Sequence, residues 1–193
     1  MSETVRILAF SGSTREASWN RKLLRVAVAG AEAAGASVTR LDLRDVPMPF
    51  YDGDLDAREG LPANARKLRE LVVGHRGLLI GTPEYNFGLS AVLKNAIDWL
   101  SRKHGSDGPY AAFKGRVAAI VSSSTGATGG ARALIHLRTV LTGCKVLVIP
   151  EQISLGTAAK AFDADGNLTP PELHAEVLGI GAALARMVAK LGA

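Results

Sequence analysis

Along this chain, short apolar runs alternate with stretches of helical periodicity, and that alternation predicts the elements. Val5–Phe10 is continuously apolar apart from Arg6, and Gly77–Thr82 is apolar at every strand position, as in a strand buried on both faces. Arg116–Ser122 and Lys145–Ile149 read as further strands, whereas Ser37–Leu43 alternates like a half-exposed edge strand. Helical spacing fills the gaps. Trp19–Gly35 carries Leu23, Leu24, Ala27, Val28, Ala31 and Ala34 on one side, and Pro62–His75 is a weaker helix. Ser90–Lys103 is the cleanest, with Ser90 as N-cap and Val92, Leu93, Ala96, Ile97 and Leu100 forming its stripe. Gly130–Gly143 is predicted to stop at Gly143. Pro171–Leu191 starts on a first-turn proline and turns Leu173, Val177, Ile180, Leu184 and Val188 inward. Asp163–Asn167 reads as a hairpin tip, and Pro47–Leu61 as the longest irregular stretch.

Five strands alternating with five helices imply an α/β fold whose parallel sheet is covered on both faces. A flavodoxin-like three-layer sandwich of strand order 2-1-3-4-5 accommodates an edge-like second strand and opens a ligand crevice between strands one and three. At 193 residues, with no repeat or linker, the expectation is a single domain over 1–193.

Three loops would meet at that crevice. The first, Ser11–Ser18, carries Ser11, Ser13, Thr14 and Ser18 with Arg15, just before a helix start. A helix start offers unpaired N–H donors and partial positive charge, and hydroxyls with a guanidinium complete a phosphate seat. No Gly-Lys pair follows Gly12 at triphosphatase spacing, and the second and third glycines of a dinucleotide fingerprint are missing. The competing reading is a capping box over Ser13–Glu16. The second loop, Pro83–Gly88, joins a rigid proline to Glu84, Tyr85, Asn86 and Phe87, suited to a flat heterocycle. The third, Ser122–Gly130, is rich in hydroxyls and glycine. One phosphate seat beside two ring-binding loops points to a mononucleotide, flavin mononucleotide (FMN) above others.

Composition narrows the classes. The chain is 47% hydrophobic and 21% charged, and its net charge of +5 is dispersed without a run of five basic residues. Nucleic acid is therefore not expected, and attraction of anionic cofactors and substrates is the milder explanation. Cys144 is the one cysteine, so no internal disulfide can form, and its place before an apolar strand suits a buried thiol. His75, His104, His136 and His174 are scattered, and Asp52-x-Asp54-x-Asp56 lacks the glycine and terminal glutamate of a calcium loop, so no metal is expected. With neither a secretory pattern at its start nor an apolar run of membrane length, the chain is expected in the cytoplasm.

The segments Gly12-Ser13-x-Arg15-x-x-Ser18-x-Asn20, Pro83-Glu84-Tyr85-Asn86 and Leu93-Lys94-Asn95-Ala96-Ile97-Asp98-Trp99-Leu100-Ser101-Arg102 resemble the NAD(P)H-dependent FMN reductase family. That family includes bacterial quinone, chromate and azo reductases, and the likeness runs from about Val5 to Ile149. It implies that Ser13, Arg15, Ser18 and Asn20 hold the FMN phosphate, and the Thr14 hydroxyl is a further candidate cofactor contact from its place in the loop. Pro83, Glu84, Tyr85 and Asn86 would line the ring, with Ser123 touching the flavin. NADPH or NADH would be the co-substrate and a quinone the first-choice acceptor, with chromate, azo compounds or free flavin as further options. The chemistry would be carried by flavin N5, so no catalytic side chain is assigned. Arg102 could guide the co-substrate, although an Asp98–Arg102 ion pair at i, i+4 is the plainer reading. The family also implies a homodimer or homotetramer, and Trp99, at the margin of its helix's stripe, is a candidate partner contact. The competing classes are an electron-carrier flavodoxin, which the positive charge disfavours, and a non-enzymatic redox module.

Overall fold

A computed structural model describes residues 4–192. Its main sheet is fully parallel and contains β1 (Arg6–Ser11), β2 (Ser37–Asp42), β3 (Gly77–Gly81), β6 (Val117–Ser123) and β7 (Leu147–Leu155) in the order β2-β1-β3-β6-β7. A two-residue hairpin, β4 (Glu84–Tyr85) with β5 (Gly88–Leu89), lies between β3 and β6 in sequence. Counting the main strands alone, this is the predicted 2-1-3-4-5 order of a flavodoxin-like three-layer fold.

Side-chain alternation along β1 divides the interior. Ile7 and Ala9 pack with α1 (Trp19–Ala33) and α7 (Pro171–Gly192) on one face. Leu8 and Phe10 pack with α3 (Ala63–Gly74), α4 (Ala91–Leu100) and α5 (Ala131–Gly143) on the other. Every residue of β3 and β6 is buried, as a central parallel strand covered on both faces requires, while β2 is half-exposed at the edge. Helices α1 and α7 cross closely because glycine stands at the contact. A Cβ on Gly30 would lie 2.0 Å from the Leu178 carbonyl oxygen, and one on Gly181 would lie 1.8 Å from that of Ala27.

Several boundaries depart from expectation for local reasons. Within Pro47–Leu61 a short helix, α2 (Gly53–Glu59), forms because the Asp52 carboxylate accepts from the N–H groups of Asp54 and Leu55. The Asp52, Asp54 and Asp56 triplet is thus a capped helix start. α5 ends at Gly143 as expected, but the glycine is its last helical residue: Cys144 is the C-cap, and the left-handed residue beyond is Lys145, at φ 71°. β7 runs on through Pro150 to Leu155, past a register shift opposite Ala118–Ile120. A short helix, α6 (Ala158–Ala161), follows it. In α4 the stripe holds at Leu93, Ala96, Ile97 and Leu100, but Val92 is exposed and the helix stops at Leu100.

Trp99 is fully buried within the chain itself, so its ring is not presented at the surface. Its indole N–H donates to the Pro49 carbonyl at 2.8 Å, and its ring meets Tyr51 edge-on at 5.0 Å. Asn95 completes the tie, accepting from the Tyr51 N–H at 2.7 Å and donating to the Pro49 carbonyl at 2.9 Å. The Leu93–Leu100 motif therefore fastens the segment after β2 to α4, leaving Phe50 between its two anchors 80% exposed.

Candidate functional site

The C-terminal ends of β1, β3 and β6 carry three loops that enclose a cleft of about 240 Å³. It is lined by Ser13, Arg15, Ser18, Trp19, Asn20, Pro83, Glu84, Tyr85, Ser123, Ser124 and Thr125. Chain reversal between the β1–β2 and β1–β3 crossovers makes this the topological switch point, where open α/β sheets bind ligands.

The first loop is shaped by close approach. Gly12 donates to the Gly81 carbonyl and accepts from the Ser90 hydroxyl at 2.7 Å. A Cβ on Gly12 would sit 2.6 Å from that hydroxyl oxygen and 2.8 Å from the Leu93 Cβ, so only glycine lets α4 abut the loop. The hydroxyl of Ser11 accepts from the Ser13 N–H. Ser18, not Ser13, caps α1, accepting from the Arg21 N–H, which disposes of a capping box over Ser13–Glu16. The start of α1 thus faces the cleft with its partial positive charge, and among the described residues no carboxylate pairs with Arg15.

Asn20 lines the cleft and also makes a tie that its place in the motif does not imply. Its amide is spent on the backbone of Ser123, donating to the carbonyl at 2.9 Å and accepting from the N–H at 2.9 Å. Both groups are buried, so Asn20 ties the start of α1 to the end of β6, and one N–H of its amide is engaged in that tie. The Ser123 hydroxyl, by contrast, is buried, lines the cleft and has no hydrogen-bond partner among the described residues. A buried orphan hydroxyl in a polar cleft is the kind of group that a bound ligand satisfies.

The second loop is folded into the hairpin. Asn86 (φ 48°) and Phe87 (φ 70°) both occupy the left-handed region at its tip, as a two-residue turn matched to strand twist requires. Pro83, Glu84 and Tyr85 reach the cleft; Asn86 is exposed beyond its lining. The Glu84 carboxylate is turned toward α5, where Gly130 as N-cap supplies no side-chain cap. It accepts from the N–H groups of Arg132 (3.1 Å) and Ala133 (3.4 Å) and pairs with the Arg132 guanidinium at 2.6 Å. Burial pushes its pKa up, but hydrogen bonds from Arg132 and the Ala133 N–H outweigh this and leave it below the ordinary carboxylate value.

Besides Asn86, two expected site residues stand outside the cleft lining. Thr14 borders a neighbouring apolar hollow with Val46, Met48, Phe50 and Val92. Arg102 lies past the end of α4, donating to the Asp98 carbonyl and the Ser101 hydroxyl, with its guanidinium 5.1 Å from the centre of the Tyr51 ring. The Asp98 carboxylate pairs with Lys94 instead, so the i, i+4 pair is Lys94–Asp98. Sequence reasoning missed Trp19, Ser124 and Thr125 as lining residues; the last two sit in the hydroxyl-rich third loop, which was the available signal. Cys144 is buried, and burial raises its thiol pKa. Among the described residues, no three metal-ligating side chains converge and no helix is long and apolar enough to cross a membrane.

Sheet order and a polar cleft at the switch point define a flavodoxin-like α/β protein with a crevice suited to an anionic ligand. Residues 5–160 match the NADPH-dependent FMN reductase family. An NAD(P)H-dependent FMN reductase of Pseudomonas aeruginosa is 38% identical over 169 residues, spanning 87% of this chain and 86% of its own. A quinone reductase of Escherichia coli K12 is 36% identical over 156 residues, 81% of this chain and 79% of its own. The flavoenzyme NAD(P)H:(acceptor) oxidoreductase FerB of Paracoccus denitrificans superposes with a TM-score of 0.79 at 29% identity, covering 97% and 98% of the two chains. This chain belongs to the NADPH-dependent FMN reductase family.

Proposed function

We propose that the chain binds FMN in the cleft at the β1, β3 and β6 loops and uses NADPH or NADH to reduce small acceptors, quinones first. Family membership makes it an FMN-dependent oxidoreductase drawing on NAD(P)H. The observation that carries the site assignment is the partnerless Ser123 hydroxyl, buried in a cleft that also holds Arg15 and the start of α1. Ser13, Arg15 and Ser18 hold the phosphate, with Thr14 at its outer edge. Pro83, Glu84 and Tyr85 flank the ring with Ser123, and Asn86 stands at its rim. Asn20 serves the same site by fixing the backbone of Ser123.

Bound FMN supplies the hydride chemistry, so the chain needs no acid–base pair of its own. Its residues bind and orient: a helix start and a guanidinium neutralise the phosphate, and the loop backbones and Tyr85 limit water at the ring. Chromate, azo compounds and free flavin are alternative acceptors, and Arg102 is retained only as an outer guide for an anionic co-substrate. The described residues act as one domain in the cytoplasm. A homodimer or homotetramer is part of the proposal, supported by the exposed Phe50, Phe87 and Ile135 and no longer by Trp99. A carrier flavodoxin is disfavoured by the net charge of +5 and by relatives that are reductases.

The test is Arg15→Ala. Losing one charge-assisted contact worth about 1.5–3 kcal/mol should weaken FMN by about tenfold or more while sparing riboflavin, which lacks the phosphate. Equal losses for both ligands, or no flavin binding by the unaltered chain, would refute the assignment.

A further inference from the structure

The hairpin tip is strained in a particular way. The favoured sequence for a two-residue turn with both φ angles positive is Asn-Gly, yet the second position here is Phe87, whose Cβ resists the left-handed region. Phe87 is also 63% exposed, so burial in a core does not hold it there. Two contacts from α5 do. The Arg132 guanidinium lies 4.4 Å from the centre of the Phe87 ring, and the Glu84 carboxylate grips that guanidinium and two N–H groups at the start of α5. Glu84 sits on the first hairpin strand beside Tyr85, a residue of the cleft lining.

We propose that Glu84 is a positioning residue: by clamping the hairpin to α5 through Arg132 it forces the Asn86–Phe87 turn and thereby sets Tyr85 against the flavin ring. The inference rests on the FMN reading above but concerns a carboxylate directed away from the cleft. It also gives the carboxylate of the Pro83–Asn86 motif a role at the third loop's helix, beside Glu84's place in the cleft lining. Glu84 thus couples the second loop to the third, as Asn20 couples the first to the third.

Two measurements on Glu84→Gln test it. In the apoprotein, amide hydrogen exchange at Arg132, Ala133 and residues 84–89 should accelerate about tenfold, since a neutral amide grips the guanidinium and the helix start less well. FMN affinity should fall about tenfold, and adding Phe87→Gly should restore most of it, because Asn-Gly adopts the turn without a clamp. The cap on α5 stays weakened in the double variant, so recovery of affinity without recovery of exchange at Arg132 and Ala133 separates positioning from general loss of stability. Unchanged exchange in Glu84→Gln, or an affinity loss that Phe87→Gly leaves in place, overturns the proposal. Failure of the unaltered chain to bind FMN would instead overturn the functional reading, with the exchange result still reporting on the clamp.

Discussion

Replacing Asn20 by Ala should damage the apoprotein before any ligand is added. The side chain satisfies the N–H and the carbonyl of Ser123, both at 2.9 Å and both buried where water does not reach them. Removing it orphans two backbone groups at about 1–3 kcal/mol each, and partial relaxation brings the expected total to about 2–4 kcal/mol. For a chain of this size that corresponds to a melting temperature lower by about 5–15 °C. Asn20→Asp, which keeps the shape, still accepts from the N–H but sets a carboxylate against the Ser123 carbonyl, so it should not restore the loss. The assay is thermal and urea unfolding of flavin-free protein by circular dichroism, with flavin titration alongside. FMN and riboflavin should weaken together, because the displaced third loop serves the whole cleft. An apoprotein that melts within about 1 °C of the parent but loses FMN selectively would show Asn20 to be a phosphate ligand and refute the bridge.

Two further outcomes follow from the packing. Trp99→Phe keeps most of the buried ring and loses the bond to Pro49, costing about 1 kcal/mol, whereas Trp99→Ala should cost about 3–5 kcal/mol in urea unfolding; a loss of assembly without loss of stability would return Trp99 to the surface. Gly181→Ala drives a methyl into the Ala27 carbonyl and should prevent stable folding, while Gly179→Ala, exposed within α7 with open space around it, should stabilise by about 0.5–1 kcal/mol, both read from soluble yield and melting temperature.

What the sequence made legible follows physical reach. The apolar continuity of residues 77–81 and 117–121 announced central strands because burial on both faces favours apolar side chains at successive positions. The half-exposed edge at Ser37–Asp42 announced itself by alternation. Ser90 was readable as a cap because its partner, the Leu93 N–H, lies three residues away. The errors came where a residue's partner is remote. Glu84 and Arg132 are 48 positions apart, and Asn20 and Ser123 are 103, so neither tie leaves a local trace. Trp99 seemed surplus to a complete stripe because the Pro49–Tyr51 segment that covers it has no periodicity of its own. Of the cleft, the loops were found and the hydroxyl and guanidinium positions came together; the division between residues that face the cleft and residues that hold the loops was not visible.

The glycine-mediated crossing of α1 and α7 fixes an order of events during synthesis. Helix α1, whose start lines the cleft, packs on the sheet on one side, but its helix partner lies in residues 171–192, some 140 positions later in the chain. The first 160 residues emerging from a ribosome hold all three loops but leave Ala27, Gly30 and Ala31 facing water. Full order at the start of α1 is therefore expected to await residues 171–192, and a nascent chain stalled before residue 171 should hold flavin more weakly than one in which α7 has emerged.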